Sequence, residues 1–338
     1  MKSLIASLLL LAAAPALAQE SESAPEEDAV QAEEAPAAET EDNAADALEG
    51  ASTPQEMFDA AQTAYAMNDF QTAQIAATAA AAEGNAQAMT LIGYMHERGL
   101  GGVRDEVKAI NWYRAAAKKG EPDALMALAA YALEEEHGLT TADARSYLDR
   151  ALGAGRSEAA IDLASLYMQG LGGPPDRQKA LLLLETAAEE GGADAAYRAG
   201  VVLSEEDTGE QDDARAADYF KRAAENGHPA GATLYGHALY EGVGVPADKP
   251  AAAEWYAKAA ERGDTEGQVY HALMLALVDG DVEKSAYWLE RSRISEGEDD
   301  AVAAYAPIRA KLANAIAGKL TGEEIEAVRA DAHDDAGA

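Results

Sequence analysis

The chain of 338 residues contains no cysteine, which excludes disulfides, thiol catalysis, thiolate metal centres and a lipid carried on an N-terminal cysteine. Positive charge is scarce: 26 lysines and arginines face 61 acids, and neither basic type occurs between Lys2 and Arg98. A surface of that sign repels nucleic-acid phosphates and anionic headgroups, so no nucleic-acid partner is expected, while a basic protein partner is compatible. Long apolar runs are missing as well. Beyond the N-terminus nothing approaches the roughly 18 uninterrupted apolar residues of a membrane helix, and no direct membrane insertion is expected.

The N-terminus has its own grammar. Lys2, the apolar stretch Leu4 to Ala14 and the small-residue site Ala16-Leu17-Ala18 read as a cleaved secretory signal over residues 1–18. The expected location is therefore the periplasm, with the mature chain soluble. Residues 19–52 hold 12 acids, no lysine or arginine and almost no large apolar side chain. Such a segment cannot offset its ordering entropy and is expected to be an acidic disordered linker, a spacer of roughly 30 Å.

What fills the rest is a period. Gly84, Gly120, Gly155, Gly191, Gly227 and Gly263 are 36, 35, 36, 36 and 36 residues apart, and Gly297 follows after 34. Eight residues upstream stand Trp112, Tyr147, Leu183, Tyr219 and Trp255, each followed by a second large side chain. Small pairs such as Ala116-Ala117, Ala187-Ala188, Ala223-Ala224 and Ala259-Ala260 precede the glycines. A period in the thirties predicts stacked supersecondary units, each burying its apolar face only against its neighbours.

Each unit divides into two helices. Thr53, Pro54 and Glu56 form a capping-box start for the first, and roughly 54–84 is expected to cap the array. The second unit reads as a helix from about Ala86 to Arg98, the loop Gly99-Leu100-Gly101-Gly102-Val103, then Asp105 and a second helix ending near Lys119. Units four and six repeat that design with Gly170-Leu171-Gly172-Gly173 and Gly242-Val243-Gly244-Val245. Units three and five lose the glycine loop, reading Glu134-Glu135-Glu136-His137-Gly138 and Glu205-Glu206-Asp207-Thr208-Gly209. The seventh shortens its loop to Asp279-Gly280-Asp281 and reads as inverting its aromatics to Tyr287-Trp288. In the first helix a small residue recurs 27 positions before the terminal glycine: Gly93, Ala164, Gly200 and Gly236. Glycine in a helix interior costs about 1 kcal/mol against alanine, so close backbone approach between neighbouring helices is expected there.

These residues resemble the Sel-one-like repeat family, relatives of the tetratricopeptide repeats. The match is clearest in Tyr235-Gly236 through Asp248, then Trp255-Tyr256-Ala257-Lys258-Ala259-Ala260 and Gly263. The resemblance implies an all-α, right-handed solenoid of stacked antiparallel helix pairs, about seven repeats over residues 53–297. A C-terminal capping helix, entered at Leu320-Thr321-Gly322-Glu323-Glu324-Ile325, and a polar tail complete 298–338. It also implies adaptor or regulatory duty: exported relatives scaffold envelope complexes or restrain the sensor domain of a signalling kinase. Cysteine-rich relatives linked to β-lactam hydrolysis supply the alternative of an envelope hydrolase, and glycan binding is a third reading.

No motif supplies catalysis. The six histidines form no close pair of metal-ligand type, His96-Glu97 lacks the second histidine of an H-E-x-x-H site, and no serine opens an S-x-x-K or G-x-S-x-G motif. No catalytic, cofactor or metal residue is assigned, and the runs Glu134–Glu136 and Asp212-Asp213 read as solvated surface. What remains is a stripe on the first helices, two and six residues after the family's leucine position: Tyr94 and Arg98, Ser165 and Gln169, Val201 and Glu205, His237 and Glu241. Residues four apart project together, and in helical solenoids such a stripe lines the concave face. Tyr94, Arg98, Ser165, Gln169, His237 and Glu241 are the candidate partner contacts, for an unidentified envelope protein; the chain itself is expected to be a monomer.

Overall fold

The computed structural model describes residues 51–205, 212–296 and 305–337. The signal and nearly all of the acidic linker lie outside the described residues, as do Glu206–Gly209 and Gly297. Among the described residues there are 16 α-helices and no strand. The helices are α1 (Pro54–Ala66), α2 (Phe70–Ala82), α3 (Ala86–Arg98), α4 (Glu106–Lys118), α5 (Pro122–Leu133), α6 (Thr141–Gly153), α7 (Ala159–Gln169) and α8 (Arg177–Glu189). They continue with α9 (Ala193–Ser204), α10 (Asp213–Glu225), α11 (Pro229–Glu241), α12 (Lys249–Glu261), α13 (Thr265–Met274), α14 (Val282–Glu296), α15 (Ala306–Ala317) and α16 (Gly322–Gly337).

Two compact bodies divide the chain within α8, one ending at Leu183 and the other beginning at Leu184. In the N-terminal body α1 packs on α2, α3 on α4 and α5 on α6, and each pair also meets the next. In the C-terminal body α9–α10, α11–α12 and α13–α14 do the same.

The repeat's signature residues have local causes. An aspartate or threonine caps every second helix outside the fourth pair, and Asp176 does so there: Asp105 Oδ1 accepts from Lys108 N at 2.9 Å, Asp176 from Lys179 N at 3.0 Å and Asp248 from Ala251 N at 3.0 Å. Units three and five keep this cap, through Thr140 and Asp212, although their glycine loops are gone. The six terminal glycines from Gly84 to Gly263 have positive φ, between 82° and 95°, which ends one unit and turns the chain into the next. The residue after the turn then caps the following first helix; Asn85, Glu121, His228 and Asp264 each accept from an N3 amide.

The capping box at Thr53 is present in full, with Glu56 N donating to Thr53 Oγ1 at 3.2 Å and Thr53 N to Glu56 Oε2 at 2.9 Å. Phe58, Ala61 and Ala64 then face the core at helical spacing.

The cores are built largely from alanine, with a few large side chains such as Ile92, Tyr113, Leu128, Leu163 and Tyr256 among them. Tyr113 and Tyr256, the second members of the aromatic pairs, are 2% and 1% exposed. Trp112 and Trp255, the first members, are half-buried; Trp255 packs against Ala224 of the preceding unit and Ala232 of its own.

The recurrent small residue of the first helix meets an aromatic ring as well as the backbone of the neighbouring helix. A β-carbon at Gly236 would lie 2.6 Å from Tyr256 Cε1, one at Gly93 2.7 Å from Tyr113 Cε1 and one at Gly200 2.6 Å from Phe220 Cδ1. The nearest atoms belong to an aromatic ring from the second helix of the same unit, and the backbone oxygens of Ala109 and Ala216 follow at 3.2 Å from the β-carbons at Gly93 and Gly200. In unit three the ring becomes Leu148, and the first helix answers with Leu128 in place of glycine, both fully buried. Glycine thus stands opposite a ring, and leucine opposite leucine.

The seventh unit departs from the expected register. Asp281 caps α14 through Lys284 N at 3.1 Å, as Asp248 caps α12, so the register aligns Trp288 with Trp255 and Leu289 with Tyr256. The aromatics are not inverted; Tyr287 lies outside the pair, and buried Leu289 joins Ala272, Leu312 and Ile316 in one cluster.

Where one helix was expected near the C-terminus there are two. α16 begins at the Thr321–Glu324 capping box, and its polar end is helical as well. α15, which carries no start signal beyond Pro307, supplies Leu312 and Ile316 to the last unit's core. No helix among the described residues is long and apolar enough to cross a membrane.

His271 sits on α13 with its ring 5.4 Å from Trp288 and its Nδ1 buried without a hydrogen-bond partner among the described residues. Burial holds its pKa below the ordinary value, so the unfolded chain binds a proton near pH 6.5 that the native chain resists. The unfolded state then binds more protons, and stability falls as pH drops below about 6.5. His271→Phe is expected to flatten the fall in thermal midpoint between pH 7.5 and 5.5; an unchanged slope would show that this imidazole does not titrate on unfolding.

Candidate functional site

The first helices of the opening three units present one face each to a shared hollow of about 630 Å³. Phe58 and Gln62 come from α1; Gln87, Thr90, Leu91, Tyr94 and Glu97 from α3; Asp123, Ala127, Ala130 and Tyr131 from α5, with Glu134 at its C-cap. The α3 and α5 residues recur at spacings of three and four, the stripe that a single helix face exposes. The floor is apolar and the rim carries charge: Glu97, Glu106, Glu121, Asp123, Glu134 and Glu136 against Arg104.

Several rim groups are engaged. The Tyr113 hydroxyl donates to Glu97 Oε2 at 2.6 Å, and the Thr90 hydroxyl donates to Glu121 Oε2 at 2.8 Å while Ala124 N donates to the same oxygen at 2.7 Å. Glu106 meets both Arg104 and His137, whose Nε2 is 3.0 Å from its Oε2, and this imidazole contact is the main cause of its lowered pKa. Asp123 pairs with Arg156. The hollow's own phenols register its negative potential: burial, then Glu97 and Glu106, push Tyr131 up to about 12, and Tyr113 is raised by burial and by Glu97.

Glu106, Glu136 and His137 bring one ligand atom each within 4.8 Å of one another. This grouping escapes a search of the sequence because Glu106 is 31 residues from His137. Arg104 already supplies a positive charge to Glu106, and the other two groups are exposed.

Of the stripe residues expected to contact a partner, Tyr94 lines the hollow and is 37% exposed. Arg98 is exposed on the same helix, its guanidinium 5.6 Å from the Tyr94 ring centre. Ser165 turns its hydroxyl back to Ile161 O at 3.0 Å, with Gln169 exposed four residues on. His237, with a side chain only 15% exposed, is held on both nitrogens. Its Nε2 is 3.1 Å from Glu266 Oε1 and its Nδ1 2.8 Å from the Tyr256 hydroxyl. A carboxylate only accepts, so in the neutral ring Nε2 carries the hydrogen and Tyr256 donates to Nδ1. That arrangement ties units six and seven together. Glu241 stands exposed at the end of α11.

Glu97, Tyr131, Glu134 and Glu136 also line the hollow and are not among the residues expected to contact a partner. The last two belong to a run expected to be solvated surface; the signal that marks them is a run of carboxylates in place of the glycine loop, which units three and five share.

Comparison with known proteins agrees with this architecture. The Sel1 repeat family matches residues 86–121, 157–192, 193–228 and 229–264. The Sel1-repeat-containing protein YjcO of Escherichia coli K12 is 33% identical over 99 residues, which are 29% of this chain and 43% of that protein. The chain thus spans less than half the length of the curated relatives it matches. The crystal structure of a Sel1 repeat protein from Oxalobacter formigenes superposes with a TM-score of 0.55 at 24% identity, over 75% of this chain and 97% of the other. A protective antigen of uropathogenic Escherichia coli that displays an SLR fold gives a TM-score of 0.46 at 20% identity, over 87% and 76%. The chain carries Sel1 repeats, and its fold is that of an all-α solenoid of stacked antiparallel helix pairs.

Proposed function

We propose that this chain is an exported, non-enzymatic adaptor that binds another protein in the groove formed by the first helices of its repeats. The observation that carries this reading is the 630 Å³ hollow, whose walls come from three successive units and whose face includes Tyr94. Repeat stacks present extended surfaces of this kind because every unit contributes the same helix face. An extended segment or a helix from a partner fits such a surface. The signal-like residues 1–18 support a periplasmic setting, and the acidic stretch after them supports a spacer role.

A photo-crosslinking amino acid at position 94 of the full chain tests it in cells. Adducts with a discrete partner are expected from position 94, and none from exposed Asn111 on the second helix of the same unit. Matching adducts from both positions would sink the assignment. Tyr94→Ala with Arg98→Ala is expected to lower recovery of that partner about tenfold with an unchanged melting midpoint, since aromatic and arginine side chains dominate binding hot spots. Equal recovery would place the contact elsewhere.

A further inference from the structure

We propose that the groove of the N-terminal body takes an extended basic segment, whose lysine or arginine side chains enter between Tyr94 and Tyr131 onto Glu97, Glu134 and Glu136. This rests on the reading of the groove as a protein-binding site and specifies the chemistry of its occupant.

The rim holds six carboxylates and a single guanidinium. Three of the six are accounted for: Glu106 by Arg104 and His137, Asp123 by Arg156, and Glu121 by the Thr90 hydroxyl and the amide it caps. Glu97, Glu134 and Glu136 have no cationic partner among the described residues, and Glu97 receives only the Tyr113 hydroxyl. Like charges converging on one hollow repel one another until a cation enters. The same walls supply two phenol rings, whose faces attract ammonium and guanidinium groups. The chain already makes this contact internally where the Arg98 guanidinium lies over Tyr94.

The geometry fits a peptide rather than a point ion. Three first helices at packing distances of about 10 Å span about 20 Å, the length of roughly six extended residues. Alternate side chains of such a strand reach the rim while the others meet the apolar floor of Phe58, Leu91, Ala127 and Ala130. The chain's own residues 19–52 do not qualify, because their 12 acids and absence of lysine and arginine give them the groove's own sign.

The test uses the full chain and labelled octapeptides of alternating lysine and serine, with a glutamate–serine counterpart, read by fluorescence anisotropy. The lysine peptide is expected to bind, the glutamate peptide not, and the affinity to fall as salt rises. Glu134→Gln with Glu136→Gln is expected to weaken the lysine peptide about tenfold. Glu254→Gln with Glu283→Gln, which removes two exposed charges from the other body, is expected to leave it unchanged. Equal losses in the two double variants would overturn the proposal, since binding would then follow the net charge of −35 rather than the groove. Tight binding of zinc or calcium alone, lost in the Glu134/Glu136 variant while the two peptides bind alike, would also overturn it in favour of a metal site. The two readings fail separately. A partner crosslinked at position 94 through an acidic or apolar segment sinks the basic occupant and leaves the adaptor standing, whereas absence of position-dependent adducts sinks the adaptor.

Discussion

Gly236→Leu lowers stability by about 1–3 kcal/mol, and the loss is recovered in part when Tyr256 is shortened to leucine. The expectation follows from one contact. A β-carbon alone at position 236 would stand 2.6 Å from Tyr256 Cε1, well inside van der Waals separation, and leucine adds three more carbons. The ring has nowhere to retreat. Tyr256 is 1% exposed, stacks on Tyr270 at 5.3 Å and holds His237 through its hydroxyl. Unit three shows the alternative solution, since Leu128 and Leu148 occupy the equivalent positions with almost no exposure. Urea unfolding of the single variants and of Gly236→Leu/Tyr256→Leu gives the coupling between the two sites, expected at about 1 kcal/mol or more. Strict additivity would mean that the glycine and the ring are not sharing one volume.

That pairing also shows how much of the molecule was legible beforehand. The repeat, its helix pairs, the capping aspartates and the turn glycines are all local demands, so each leaves its mark within a few residues of where it acts. The identity of the glycine's neighbour does not, because Gly236 and Tyr256 are joined only by folding. Yet the clue was in the chain: wherever the second helix offers Tyr113, Phe220 or Tyr256 the first offers glycine, and where it offers Leu148 the first offers Leu128. In the seventh unit the forward count from the cap Asp281 sets the aromatic register, placing Trp288 where the count from Asp248 places Trp255.

The groove was half legible for the same kind of reason. Tyr94 follows from the helical face, which periodicity gives. Glu134 and Glu136 reach the hollow only because the third unit has exchanged its glycine loop for a short 3-10 turn, in which His137 has φ of 50°. A non-glycine residue in that region is set by tertiary packing rather than by local preference. Spacing puts His237 on the stripe, but spacing does not show that Glu266 and Tyr256 occupy both of its nitrogens.

Gly244→Ala is expected to be the most damaging small substitution in the chain, costing about 2–5 kcal/mol. Two effects add. Position 244 has φ of +72°, where a β-carbon costs about 1–2 kcal/mol, and that β-carbon would fall inside the envelope of the Asp213 carbonyl oxygen, an overpacking worth about 1–3 kcal/mol. Asp213 opens α10, so the glycine loop of unit six lies against the start of the second helix of unit five. Gly172 stands in the same relation to Thr141 at the start of α6, and Gly101 to Phe70 at the start of α2, 3.1 Å from its carbonyl oxygen. The loops of units two, four and six thus rest on units one, three and five, while Gly138 and Gly280, in the shorter turns of units three and seven, meet nothing within 4 Å. The loop is therefore a register device between neighbouring units as well as a turn within one. Gly263→Ala separates the two effects, because Gly263 has φ of +86° with open space around it. It should show the backbone cost alone. If urea unfolding gives the two alanine variants equal losses, the contact with Asp213 contributes nothing and the loop is only a turn; if Gly244→Ala loses clearly more, neighbouring pairs are held in step by that carbonyl.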